Sequence, residues 1–150
     1  MEAYDPMTDP DPEEWLQLDE GARMLLVEDY HKRARARLPN PALHATIHTI
    51  VENQVAMGDE TAARDTLARL MSEGLDRHDA IHAIGGVLSV HMVNLMKTRQ
   101  VEGASEEYFA KLRALTAKDW LKSWEEPAAK PPRRPPSSPR SQRPKRRRRR

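Results

Sequence analysis

Apolar positions recur at helical spacing along most of the chain. Between Asp19 and Arg37, Ala22, Leu25, Leu26 and Tyr30 share one side of a helix. Glu20 stands near its start, and Lys32, Arg33, Arg35 and Arg37 near its end, the charge order a helix dipole favours. Leu38-Pro39-Asn40-Pro41 interrupts this pattern and starts another. Asn40 is placed to cap a second helix, with Pro41 in its first turn, that runs to about Met57 and stops at Gly58. Asp59 can cap a third, whose stripe of Ala62, Ala63, Thr66, Leu67, Leu70 and Met71 ends at Gly74. A fourth runs from Asp76 to about Thr98, because Ile81, Ile84, Leu88 and Leu95 keep phase across Gly85-Gly86. That glycine pair suits a close helix contact or a kink better than a break. Ser105 opens a fifth helix with Tyr108, Phe109, Leu112 and Leu115 on its apolar face, and Thr116 to Trp124 extend it or form a short final helix. Strand-like alternation of useful length does not occur. The pattern predicts an all-α fold, a single helical bundle of about five helices.

The flanks differ from this middle. Asp5-Pro6, Asp9-Pro10 and Asp11-Pro12 leave residues 1–12 extended or disordered, since proline lacks a donor and restricts the residue before it. Residues 127–150 hold seven prolines and few apolar side chains, the composition of a disordered Pro/Arg-rich tail. The helical domain is therefore expected over 13–126. With 38% apolar residues in a chain of 150, there is material for one core.

The net charge of +2 conceals a polarised molecule. Of the 25 Lys and Arg, 11 lie between Lys130 and Arg150, a stretch without acid, so the remaining 14 face 23 acidic side chains in the body. The run Lys145–Arg150 predicts a polyanion or nucleic acid as partner, through counterion release. A solubilising extension that folds back on the acidic body is the alternative. Acidic residues near the N-terminus do not resemble a signal peptide, and no apolar run approaches the roughly 18 residues that cross a bilayer. These features predict a cytoplasmic protein without a membrane partner.

The chain has no cysteine, which excludes disulfides, thiolate catalysis and thiolate metal sites together, so any metal must be held by histidine and carboxylate. Histidine is arranged to do so. His44 and His48 on the second predicted helix, and His78 and His82 on the fourth, are each four residues apart and share a helix face. Short connections favour an up-down-up order that sets the second and fourth helices parallel. Measured from their caps, the two pairs then differ in height by only ~3 Å. His31, nine residues before Asn40, can reach a similar level, and Glu28, Glu52 and Asp79 are possible carboxylate ligands. On a helical wheel the paired histidines flank the apolar faces, a rim position, whereas His91 faces inward as a packed, hydrogen-bonded core residue.

Three chemistries fit such a cluster. Neutral imidazoles suit zinc or another divalent transition metal; rim histidines can also be merely solvated or bonded to neighbouring helices; and helix N-termini with protonated histidines can bind an anion. Enzyme status stays open. His-Glu-x-x-His and a phosphate-binding glycine loop are both missing, and Ser72, Ser89 and Ser105 are explained by helix surface or capping.

The stretch Asn40-Pro41-x-Leu43-His44 through Glu52-Asn53-Gln54, then Arg69-Leu70 and Gly74-Leu75-Asp76-Arg77-His78-x-x-x-His82, resembles a bacterial family of small helical proteins classed as a domain of unknown function. The resemblance covers about residues 13–98. It implies a bacterial cytoplasmic protein and no particular chemistry; the basic tail lies outside it.

Overall fold

The computed structural model describes residues 1–125. The tail, with Lys145–Arg150, lies outside the described residues. Seven α-helices follow one another: α1 (Pro12–Gln17), α2 (Glu20–Arg33), α3 (Pro41–Ala56), α4 (Ala63–Ser72), α5 (Arg77–Thr98), α6 (Ala104–Ala114) and α7 (Ala117–Glu125), with a 3-10 turn at Gly58–Glu60. No strand occurs among the described residues. The fold is all-α, with more helices than the five expected.

Capping chemistry sets most of the starts. The side chains of Asp11, Asp19, Asn40 and Asp76 accept from the backbone N–H groups of Glu14, Ala22, Leu43 and Asp79, respectively. Two departures from the expected count have local causes. α1 is too short to show periodicity, and it forms because Asp11 caps it while Pro12 supplies a preset φ at its first position. Of the two alternatives for Thr116 to Trp124 the separate final helix forms, because Leu115 turns to an extended conformation (φ −64°, ψ 133°). Thr116 Oγ1 then accepts from Asp119 N at 3.1 Å, and Glu73, at the C-cap of α4, accepts from Ala117 N at 2.7 Å, so a new helix begins. Asp59 caps nothing; it pairs with Arg64, and the short turn at Gly58 (φ +63°) precedes α4.

α3 and α5 form the centre. α3 touches α1, α2, α4 and α5, and α5 touches α3, α4, α6 and α7. Val51, Leu67, Leu70, Ile81, Ile84, Leu88, Tyr108 and Leu112 make the larger core, and Tyr4, Trp15, Val27 and Ala45 a second one beneath the N-terminal segment. For residues 1–12 the expectation left extended and disordered chain as alternatives, and the segment before α1 is packed. It is not helical before α1, but Tyr4 is 2% exposed and Pro6 is fully buried. Asp5-Pro6 and Asp9-Pro10 prevent helix without preventing packing, while Asp11-Pro12 opens α1. Arg77 holds the segment down, donating to the Pro6 carbonyl at 2.9 Å and to Asp9 at 2.7 Å.

α5 also corrects the reading of apolar runs. At 22 residues, with a mean hydropathy of 1.2 over 18 of them, it is long and apolar enough to cross a membrane by length and composition. Here Arg77, Ala80, Ile81, Ile84 and Leu88 are buried against the neighbouring helices. Burial on several faces, not one, makes such a helix apolar nearly all round.

At Gly85 α5 packs tightly against α3. A Cβ there would lie 2.9 Å from Ile47 Cγ2, whereas one on Gly86 would meet nothing nearer than Trp120 at 3.9 Å. Ile47 is β-branched and cannot swing aside freely. Gly86→Ala should therefore raise the urea midpoint, gaining about 1 kcal/mol of helix propensity. Gly85→Ala should lower it, because overpacking costs about 1–3 kcal/mol. Denaturation followed by circular dichroism checks both; equal effects would contradict the close contact.

Candidate metal centre

Both histidine pairs and His31 meet in one cluster. One ring nitrogen from each of His31, His48, His78 and His82 lies within 4.8 Å of the others. Between helices, ring centroids are 5.1 Å apart for His48–His78, 4.9 Å for His48–His82 and 5.1 Å for His44–His82. A tetrahedral zinc with Zn–N near 2.0–2.1 Å needs N···N of about 3.4 Å, so any two ring nitrogens must draw together by at most about 1.4 Å. His44 belongs to the cluster but stands outside the tightest set, its Nε2 3.1 Å from His31 Nε2.

The position differs from the expected rim. His48 is 1% exposed and His31 5%, while His44, His78 and His82 are half-buried. α2 and the N-terminal segment cover the side of α3 and α5 that a helical wheel of either helix leaves open. Tyr30 of α2 packs edge-on against His31 and His78, at 5.2 and 5.8 Å between centroids. His91 is packed as expected, but against Tyr108 in α6 (5.1 Å, 25° between planes), whose hydroxyl donates to Gln54 at 2.7 Å.

Hydrogen-bond partners orient the rings. The Val27 carbonyl can only accept, so the 2.8 Å contact from His31 Nδ1 places the proton there and leaves Nε2 with its lone pair. His44 Nε2–H is then the donor in the His44–His31 contact. His48 Nδ1 lies 3.4 Å from the Tyr4 hydroxyl, which itself donates to Glu52 Oε1 at 2.6 Å. The phenol oxygen thus accepts from Nδ1–H, and His48 Nε2 is also left bare. Glu52 in turn takes both arms of Arg77, each at 2.8 Å. A chain runs from His48 through Tyr4 and Glu52 to Arg77 and Asp9.

None of the expected carboxylates joins the ring nitrogens. Glu52 is committed to Arg77 and Tyr4, and Glu28 pairs with Lys32 at 2.9 Å. Asp79 is not in the cluster of converging ligand atoms, leaving imidazole as its donor among the described residues. Sequence reasoning missed Tyr4, Tyr30, Arg77 and Asp9. Tyr4 and Asp9 sit in a segment without periodicity, and no local spacing links Arg77 to Glu52.

The electrostatics keep His44, His48, His78 and His82 neutral. Burial, then the neighbouring His31 and His78, pushes His44 down to about 4. Burial, then His78, His44 and His31, takes His82 to about 3. His48 is driven lower still by burial and the four surrounding imidazoles. His78 falls by burial and His31, opposed by Asp76, Asp79 and Asp5. Neutral rings disfavour the protonated-histidine anion site, but they suit metal ligation. The Nε2 atoms of His48, His78 and His82 are buried with no hydrogen-bond partner, a costly state for three adjacent acceptors or donors. A coordinated cation would satisfy all three.

No protein-family model matches the chain, and comparison with curated proteins and with solved structures finds no match.

The lowered values carry a stability consequence for the metal-free protein. Between about pH 4 and 6.5 the unfolded chain binds protons on His44, His48, His78 and His82 more fully than the folded chain does. Stability from these groups is complete above 6.5 and drains away as pH falls toward 4 and below. The denaturant midpoint should drop from pH 7 to pH 5, less steeply in His48→Phe. An unchanged midpoint would contradict neutral burial.

Proposed function

We propose that the protein binds one divalent transition metal ion through His31, His48, His78 and His82, with His44 as a fifth imidazole beside them. Three buried, partnerless Nε2 atoms, on histidines that converge from α3 and α5, carry this reading. Four neutral nitrogen donors suit zinc, copper, nickel or iron better than magnesium or calcium, which take oxygen. His31 enters as a ligand once an ion displaces the proton that His44 directs at it. Tyr4 is a positioning residue: by accepting from His48 Nδ1–H it fixes the tautomer and aims Nε2 inward, as carboxylate and carbonyl partners do in other histidine sites. Glu52 and Arg77 hold Tyr4 in turn.

The reading makes no commitment to a reaction. Four protein nitrogens around zinc form a closed tetrahedral set, the usual state of a structural ion, while metals that accept five or six ligands would retain an open position.

Zinc titration of the full, untagged chain by calorimetry should give one site. His48→Ala and His82→Ala should each weaken it at least about 100-fold, and Tyr4→Phe by about 10- to 100-fold, the range of other outer-shell partners. His91→Ala should leave it unchanged. Binding that survives both cluster substitutions, or no binding by the intact chain, would overturn the proposal.

A further inference from the structure

The histidine cluster has an apolar approach. A cavity of about 500 Å³ lies between α3, α5, α7 and the turn at Leu38–Asn40, within the size range of small-molecule sites. Ile47, Ile81 and Trp120 line it, and His44, His48 and His82 reach it from the cluster. Gly86 adds no side chain to its wall. No Asp, Glu, Lys or Arg lines it among the described residues.

Charge selects the occupant. A divalent ion held by neutral imidazoles keeps both positive charges in a poorly solvated interior, and Glu52, the buried carboxylate of this region, is already neutralised by Arg77. An anionic donor arriving from outside relieves that excess. The uncharged walls offer nothing to a second charge but favour a hydrocarbon body, and the Trp120 ring offers a face to an aromatic one. Resting on the metal reading, and going beyond it, we infer that the centre takes an apolar monocarboxylate: the carboxylate on the ion at the His44–His82 edge, and the hydrocarbon body in the cavity toward Trp120.

The test uses the full chain loaded with cobalt(II), which accepts four to six ligands and reports each change in its visible absorption. Sodium benzoate and sodium acetate are titrated separately. Benzoate should half-saturate the spectral change at a concentration at least about tenfold lower than acetate, since the ring gains burial that a methyl group does not. Gly86→Leu should reduce that ratio to near unity while leaving the cobalt spectrum and the acetate response unchanged. Leu43→Trp should do the same from the cavity mouth; Leu43 is 54% exposed, so this variant decides the matter if Gly86→Leu does not fold. Equal affinities for the two acids in the unaltered chain, a spectrum indifferent to both, or a preference that survives filling would overturn the inference and leave the metal site standing. Absence of any cobalt absorption would overturn both.

Discussion

The rest of the structure depends on the buried ion pair between Arg77 and Glu52. Its members are 2% and 1% exposed, and each would be prohibitive alone in such surroundings. Together they are satisfied at nearly every donor and acceptor: Arg77 reaches both Glu52 oxygens, Asp9 and the Pro6 carbonyl, and Glu52 also accepts from Tyr4. Burial acts to lower the guanidinium's affinity for its proton, but Glu52 and Asp9 outweigh it and hold Arg77 above its ordinary range. Removing one partner of such a pair costs about 3–5 kcal/mol, because the other is left charged and unpaired. The pair joins the start of α5, the middle of α3 and the N-terminal segment at one point.

That junction places Tyr4 against His48, and so links the framework to the imidazoles. Burial and the neighbouring Glu52 raise the Tyr4 phenol, which keeps its proton for Glu52 and its lone pair for His48. The cluster is thus oriented by a polar network that is itself fully bonded, while its inward nitrogens are not. A core selected only for stability would replace three bare Nε2 atoms with hydrocarbon, since apolar isosteres leave no unmet hydrogen bond. Their presence in a packed interior is the physical basis for reading the cluster as a binding site.

The cavity beside the cluster follows from the same packing. Gly85 lets α5 approach Ile47 of α3, which brings His44 and His82 together, while Gly86 faces Trp120 with room for an added Cβ at ordinary contact distance. One glycine closes the helices and its neighbour leaves room between α5 and α7. Burial of the imidazoles and access to them are therefore built from adjacent residues.

Much of the helical framework was legible in the sequence, because capping and periodicity are local. Asn40 with Pro41, Asp76, and the i, i+4 spacing of His44–His48 and His78–His82 depend on residues within one or two turns. The convergence of the five histidines on one region was legible too, from the spacing of each pair and short connections. α1 was not, being too short for a period, and whether Thr116 to Trp124 extend the fifth helix or form their own was left open, because the break at Leu115 depends on a cap from Glu73 at the end of α4. Nor could sequence show that the histidines are covered, that Glu52 is withdrawn from the ligand set, or that Tyr4 orients His48. A helical wheel describes one helix against an unspecified core, so it assigned these rings to a rim. What covers them is α2 and a proline-interrupted segment with no period of its own. Sequence determined which helices form and which side chains share a face; only tertiary structure decided which faces are buried and by whom, since pairings 25 and 48 residues apart, such as Arg77–Glu52 and Tyr4–Glu52, leave no trace in local spacing.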